Sequence, residues 1–373
     1  MANWAIVVGI NAYPDASGQP ALQGAVSDAC DFAEWALDPA GGNVLTANLY
    51  FWVHPWPAQV GALLAAHLAG APPEWDHDDF DRAPVDRNRP PKAQEIVRTA
   101  ERKGRELNEA AFGQPNPESQ RILVFLAGHG LRAKERGDGE LQTCFVARDF
   151  RPQDSQTAYG LIPCTSFRRS LRHKRFDEVV MFLDCCRNDY IGSSTMEALP
   201  ICDSRDERQG KGWGQGNAAA DNERAYETVN PPIRGAFSQT LMEGLRNSRD
   251  ASGVLSIAGL KTYVEDNIGK ATVTGQSPQF RCEPESPSMI IVAGGGPPRA
   301  GPTVRFKGLA PGTRILLRDG NNRLVPGIGP LAAGPGPVVL PPLADGLYSL
   351  AADDGSGRER LFRYPKESDV EVF

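Results

Sequence analysis

Two stretches of the chain are apolar at every position. Residues 122–127 read Ile-Leu-Val-Phe-Leu-Ala, and residues 179–183 read Val-Val-Met-Phe-Leu. A half-covered strand alternates apolar and polar side chains. A short continuous run rich in β-branched and aromatic residues suits a strand buried on both faces, as in a parallel sheet beneath helices. The remaining pattern predicts helices over 25–37, 92–111, 165–173 and 257–268, and one opening at 235–241. It predicts further strands over 47–53 and 142–147 and a last core strand over 289–292. Ser27 or Asp28 stands near the start of the first helix. Residues 71–91, rich in Pro, Asp and Arg, read as a surface loop. Residues 187–235 have no apolar periodicity and are rich in Gly, Asn, Asp, Glu and Arg. A structureless stretch of that length is either functional or disordered.

Toward the C-terminus the pattern changes. From 294 to 347, 22 of 54 residues are Gly or Pro, which argues for turns and against helix. Short alternating runs lie between the turns, at 304–306, 314–317, 347–350 and 360–364. The expected organisation is a main domain over 1–293, a linker over 294–302 and a small β-sandwich over 303–373.

Composition narrows the function. No stretch approaches the roughly 18–20 uncharged apolar residues of a membrane span, and the first residues run straight into an apolar segment. A cytoplasmic protein without membrane contact is expected. Seven cysteines, mostly in apolar segments, do not form a secreted disulfide framework. The spacing offers no Cys-x-x-Cys pair, so no metal is expected. The Asp76–Asp81 cluster reads as a solvated loop, and His54, His67 and His173 receive no role. A net charge of −6 without a basic stripe argues against nucleic acid.

The two apolar runs end in a different chemistry. The first leads into Gly128, His129 and Gly130; the second leads into Asp184, Cys185 and Cys186. In open α/β sheets the site lies just outside the carboxyl ends of the strands. A His and a Cys delivered there can meet as a base and a thiol nucleophile. A free thiol has a pKa near 8.5, so a base that takes its proton matters at neutral pH. Strand alternation sends Cys185 and Cys186 to opposite faces.

These strings resemble those of the caspase and metacaspase group of cysteine peptidases, over roughly residues 1–293. The Ser-Gly-His-Gly of that group is represented by Ala127-Gly128-His129-Gly130. Its Gln-Ala-Cys-Arg-Gly or Asp-Ser-Cys-His-Ser-Gly is represented from Asp184 onward, and both alignments put the nucleophile at Cys186. The start, Trp4 to Tyr13, is similar to the first strand of the group. Leu22-Gln23-Gly24-Ala25-Val26-Ser27-Asp28-Ala29 is similar to its first helix start.

The resemblance implies a caspase-like three-layer α/β sandwich, with a mostly parallel six-stranded sheet between helices. It implies a Cys186–His129 dyad, with the N–H groups of Cys186 and Gly130 as oxyanion donors; Cys185, which alternation sends to the opposite face, reads as a core thiol. It also implies an acidic S1 pocket of Asp28 and Asp184 that takes Arg or Lys, although Ala127 replaces a serine of that pocket. Arg187 would pair with a loop carboxylate. Residues 187–235 correspond to the segment cut when caspases are activated, with Arg205, Arg208 and Arg224 as candidate sites. The partners implied are protein substrates and an upstream activating protease. No cofactor and no metal are expected, and the protein is expected to be a monomer. By analogy the setting is prokaryotic signalling, cell death or antiphage defence. An Asp-specific peptidase and a non-catalytic scaffold remain open.

Overall fold

The computed structural model describes residues 1–14, 19–70, 91–135, 141–152, 157–188, 197–198, 212–250, 252–272, 275–284, 289–293, 301–320, 322–325, 328–341, 343, 346–364 and 369–372. The first part of the chain runs β1 (Ala2–Ile10), α1 (Ala25–Leu37), β2 (Leu49–His54), α2 (Ala62–Gly70), α3 (Ala93–Ala111), β3 (Gln120–Ala127), β4 (Gly130–Glu135), β5 (Leu141–Pro152), β6 (Thr157–Pro163), α4 (Cys164–Lys174) and β7 (Glu178–Asp184). It continues with β8 (Glu197–Ala198), β9 (Gly212–Asn217), α5 (Ala236–Asn247), β10 (Leu255–Ser256), α6 (Ile257–Ala271), β11 (Gln279–Glu283) and β12 (Ile290–Val292).

Six strands form the central sheet in the order β11-β9-β7-β3-β1-β2. All neighbours are parallel except β11, which runs antiparallel to β9 at the edge. Alternation divides each central strand between two cores. Val7, Phe125 and Phe182 face Phe32 of α1, Phe237 and Leu241 of α5 and Leu260 of α6. Ile6, Val8, Val124, Leu126, Met181 and Leu183 face Ile96 and Val97 of α3 and Phe167 and Leu171 of α4. Each such large side chain contributes about 1.5–3 kcal/mol when fully buried, so the doubly covered sheet is the base on which the strand ends sit. Strands β4, β5, β6 and β8 close into a small separate barrel beside it.

The predicted helices over 25–37, 92–111, 165–173 and 257–268, and the strand over 47–53, all form with ends no more than three residues from those expected. Three differences are instructive. The stretch 187–235 is not without structure: Gly212-Trp213-Gly214-Gln215-Gly216-Asn217 is β9, an inner strand of the main sheet. Its glycines hide it from any propensity reading, yet a Cβ on Gly214 would lie 2.7 Å from Ile257 Cδ1 and one on Gly216 2.7 Å from Phe280 Cε1. Packing of neighbouring residues over a bare backbone makes this strand. Second, 289–292 is not in the main sheet; β12 pairs with β10, and the sixth strand is β11, whose polar residues give no buried-strand signal. Third, the Ala-rich helix α2 and strands β4 and β6 were not expected at all. Of the predicted loop, residues 71–90 lie outside the described residues.

The last part of the chain contains β13 (Thr303–Phe306), β14 (Arg314–Asp319), β15 (Leu331–Ala332), β16 (Val338–Val339), β17 (Gly346–Ala352), β18 (Glu359–Tyr364) and β19 (Asp369–Val372). They form a three-stranded and a four-stranded sheet, ordered β16-β13-β19 and β15-β14-β17-β18. Val304, Ile315, Leu317, Leu350, Phe362 and Val370 build a core drawn from this part alone.

Helix α1 is seated on β1 through Gly9, where a Cβ would lie 2.6 Å from the Ala25 carbonyl oxygen and 2.6 Å from Ala29 Cβ. Backbone cannot yield as a flexible side chain can, so Gly9→Ala should cost about 1–3 kcal/mol. Urea denaturation of wild type and variant checks this as a lowered midpoint at unchanged slope.

Candidate active site

Parallel pairing of β3 with β7 runs in register to Ala127 opposite Asp184. The Gly128 N–H then donates to the Asp184 carbonyl at 3.1 Å. His129 and Cys186 each follow two residues beyond that pair, so both leave the sheet at the same level and at its carboxyl end. Close approach here depends on glycine. A Cβ on Gly130 would lie 2.5 Å from the Cys186 carbonyl oxygen and 2.6 Å from Cys185 Sγ.

The imidazole is held from outside the sheet. His129 Nε2 is 2.7 Å from the Pro20 carbonyl oxygen. A carbonyl can only accept, so Nε2 carries the proton and, in the neutral ring, Nδ1 is the basic nitrogen. The Tyr13 hydroxyl accepts from the His129 backbone N–H at 2.9 Å and donates to the Val146 carbonyl at 3.2 Å. Its ring lies 5.0 Å from the imidazole, and a Cβ on Gly128 would lie 2.7 Å from its oxygen. Tyr13 was visible in the sequence only as the end of an apolar run; nothing there pointed to His129, 116 positions away.

The Cys186 thiol donates to the Ala225 carbonyl at 3.7 Å. Burial pushes this thiol above its ordinary pKa, and the nearby Asp184 charge adds to the rise. Burial lowers the pKa of His129. Both directions favour uncharged partners, a thiol and a neutral imidazole, over a thiolate–imidazolium pair. Cys185 is 1% exposed in the core beneath α3 and α4, and burial raises its pKa much further. It is the core thiol that alternation predicts.

Next to Cys186, Arg187 donates to Thr143 Oγ1 at 2.8 Å, the Ala219 carbonyl at 3.1 Å and Gln279 Oε1 at 2.7 Å, and it pairs with Asp221. The expected loop carboxylate is therefore present.

A family comparison bears on this geometry. A model of the caspase domain family (Peptidase C14) matches residues 2–287. The chain belongs to the caspase-domain peptidases. The matched domain is that of a cysteine-peptidase family. A protein described as a probable protease, from a Desulfuromonadales bacterium, is 29% identical over 188 residues, or 50% of this chain. The match spans only 18% of that relative's length. A crystal structure of a Geobacter sulfurreducens protein superposes with a TM-score of 0.42 at 13% identity, over 76% of this chain and 93% of that one.

Within the caspase domain, the two expected S1 carboxylates come together around the start of α5. Asp184 Oδ2 accepts from the Ser238 N–H at 3.0 Å and from Ser238 Oγ at 2.5 Å. Asp28 Oδ2 accepts from the Gly235 N–H at 2.7 Å, and Asp28 Oδ1 from Arg234 Nε. Gly235 lies between them; a Cβ there would be 2.1 Å from Asp184 Oδ2 and 3.0 Å from Asp28 Oδ2. Burial raises Asp28 to about 7 and Asp184 to about 6, with the Arg234 charge opposing the rise at Asp28 and Ser238 opposing it at Asp184.

Two residues at this caspase-domain site were missed by the sequence reading. Glu227 Oε1 accepts from the backbone N–H groups of Gln23, at 2.7 Å, and Gly24, at 2.5 Å, just ahead of α1. It acts electrostatically on both His129 and Asp184. Arg234 also donates to Asp31 Oδ2 at 2.8 Å. Both residues sit in the stretch read as structureless, where no motif singled them out.

Of the three candidate cleavage positions, Arg205 and Arg208 lie outside the described residues. Arg224 is exposed, but its neighbours are tied: the Glu223 carbonyl accepts from Arg187 N–H at 3.0 Å, and the Ala225 carbonyl accepts from Cys186. Among the described residues no three His, Cys, Asp or Glu side chains gather as a metal would require, and no helix is long and apolar enough to cross a membrane. The Asp76–Asp81 cluster lies outside the described residues.

A thiol held neutral by burial should alkylate slowly at neutral pH. The rate of Cys186 modification by iodoacetamide in the free protein should rise with a midpoint above about 8.5, the value of an ordinary thiol. Stopped-time labelling across pH, read by mass spectrometry at Cys186, checks this; a midpoint below 7 would show a stabilised ion pair instead.

Proposed function

We propose that the protein is an endopeptidase that cleaves after Arg or Lys, with Cys186 as nucleophile and His129 as general base and acid. The observation that carries this reading is the common level of the two residues beyond the Ala127–Asp184 pair, with an acidic cluster on the α1/α5 side. In the proposed reaction, His129 Nδ1 takes the thiol proton as Sγ attacks the scissile carbonyl. The N–H groups of Cys186 and Gly130 receive the oxyanion. The imidazolium then protonates the leaving amine as the C–N bond breaks. Water, deprotonated by the same His129, hydrolyses the thioester and regenerates the thiol.

Specificity follows from charge. Asp184 acts electrostatically on Cys186 and Glu227 on His129, and Asp28 lies across Gly235 from Asp184; carboxylates bind a guanidinium or ammonium by charge-assisted hydrogen bonds. An Asp-specific peptidase would need a cation facing the substrate, whereas Arg234 is turned onto Asp28 and Asp31. The oriented imidazole and the partly exposed Cys186 thiol weigh against an idle scaffold.

We further propose that the chain is latent until the connection between β7 and β9 is cut, by itself or by an upstream protease. The bonds on either side of Arg224 favour Arg205 or Arg208 as the site. Residues 294–302 then link the peptidase unit of 1–293 to an accessory β unit of 303–373. By analogy with prokaryotic caspase-like proteins, we place the activity in the cytoplasm, in signalling, cell death or antiphage defence, with the chain acting as a monomer.

Fluorogenic peptides differing only at P1 test the reading. Arg and Lys peptides should be cleaved and Asp peptides should not; preferential cleavage after Asp would overturn it. Cys186→Ala should abolish activity, while Cys185→Ala should keep most of it. Asp184→Asn should lower kcat/KM for the Arg peptide at least about tenfold, or ~1.4 kcal/mol.

Replacing Arg205 and Arg208 together with Gln tests latency. The variant should stay uncut and poorly active after exposure to an Arg-specific protease that activates wild type. Full activity in an uncut chain would remove the latency proposal.

A further inference from the structure

The two carboxylates of the acidic site are not equally free. Asp184 uses one oxygen, Oδ2, for Ser238, and its Oδ1 has no partner among the described residues. Asp28 is different. Both its oxygens are engaged, one by the Gly235 N–H and one by Arg234, and it is only 1% exposed. The group on Asp28 is a guanidinium, the same chemical group that a basic substrate would present.

Arg234 reaches Asp28 from a fixed backbone. Its N–H donates to Thr228 Oγ1 at 3.1 Å, and its carbonyl accepts from the Thr228 N–H at 2.7 Å. Its side chain, 16% exposed, bridges Asp28 and Asp31, which lie one turn apart on the same face of α1. Asp31 has a second cation, Arg246 of α5, at 2.9 Å. Removing the Arg234 charge therefore leaves Asp31 neutralised and uncovers Asp28 alone. The next residue, Gly235, already lies between Asp28 and Asp184, so the uncovered carboxylate would be adjacent to the free oxygen of its partner.

We propose that Arg234 is a specificity-determining residue that occupies the guanidinium subsite from within the chain and competes with the basic side chain of the substrate. This rests on the reading of the site as acidic and selective for Arg or Lys. With Arg234 in place, Asp28 is satisfied internally and the substrate cation meets Asp184 and Glu227. With Arg234 displaced, two adjacent carboxylates face the substrate and bind its cation more tightly. The side chain thus sets how strongly the site discriminates basic from neutral residues.

The test compares wild type, Arg234→Gln and Asp31→Asn on two fluorogenic peptides that differ only in Arg or Ala at P1. Gln keeps most of the side-chain length but carries no charge. Asp31→Asn removes one of the two anchors of Arg234 without touching Asp28, and it provides the answer if Arg234→Gln does not fold. For Arg234→Gln the KM of the Arg peptide should fall at least fivefold relative to that of the Ala peptide, and Asp31→Asn should shift it in the same direction. An unchanged or raised relative KM in the folded variants, with wild type still preferring Arg, would overturn the proposal and leave the Arg-selective reading intact. An absence of Arg preference in all three proteins would overturn the Arg-selective reading and this proposal with it.

Discussion

The site depends on the parallel pairing of β3 with β7. Hydrogen bonding in register from Arg121–Glu178 to Ala127–Asp184 forces the two strands to end together, and the buried faces on both sides prevent a slip. A one-residue shift would send Phe125 and Phe182 to the wrong core. His129 and Cys186 then each lie two residues outward from the last pair. Gly128 and Gly130 make this possible physically, because the His-bearing backbone must pass against Tyr13 on one side and the Cys186 carbonyl on the other.

A second constraint acts from one stretch of chain. Residues 218–238 touch nearly every part of the site. The Ala219 carbonyl and Asp221 hold Arg187, the Ala225 carbonyl receives the Cys186 thiol, Glu227 anchors the turn ahead of α1, and Gly235 and Ser238 bind Asp28 and Asp184. The turn that Glu227 anchors also carries Pro20, whose carbonyl orients His129. Rearrangement of this stretch would therefore reach Cys186, His129 and the acidic cluster together.

Burial gives the site its electrostatic character. It raises the thiol, lowers the imidazole and raises both aspartates. Each of these shifts favours the uncharged form of its group. Arg234 adds a charge already inside the chain, paired with Asp28 and Asp31.

The amino-acid sequence by itself determined the sheet's central strands, the His- and Cys-bearing segments at their ends and the main helices. Those elements carry uninterrupted apolar runs or a clear helical period, and the chemistry follows directly at their carboxyl ends. It also separated the Gly- and Pro-rich last part, whose core is drawn from 304–372 alone. Only the tertiary structure decided β9, the edge strand β11 and the roles of Tyr13, Glu227 and Arg234. A glycine strand has no side chains to signal burial, since neighbours such as Ile257 and Phe280 supply the cover. A lone Glu or Arg in a polar stretch looks like any solvated residue. It acquires a function only when folding brings it against a carboxylate some 200 residues away, as it does Arg234 and Asp28.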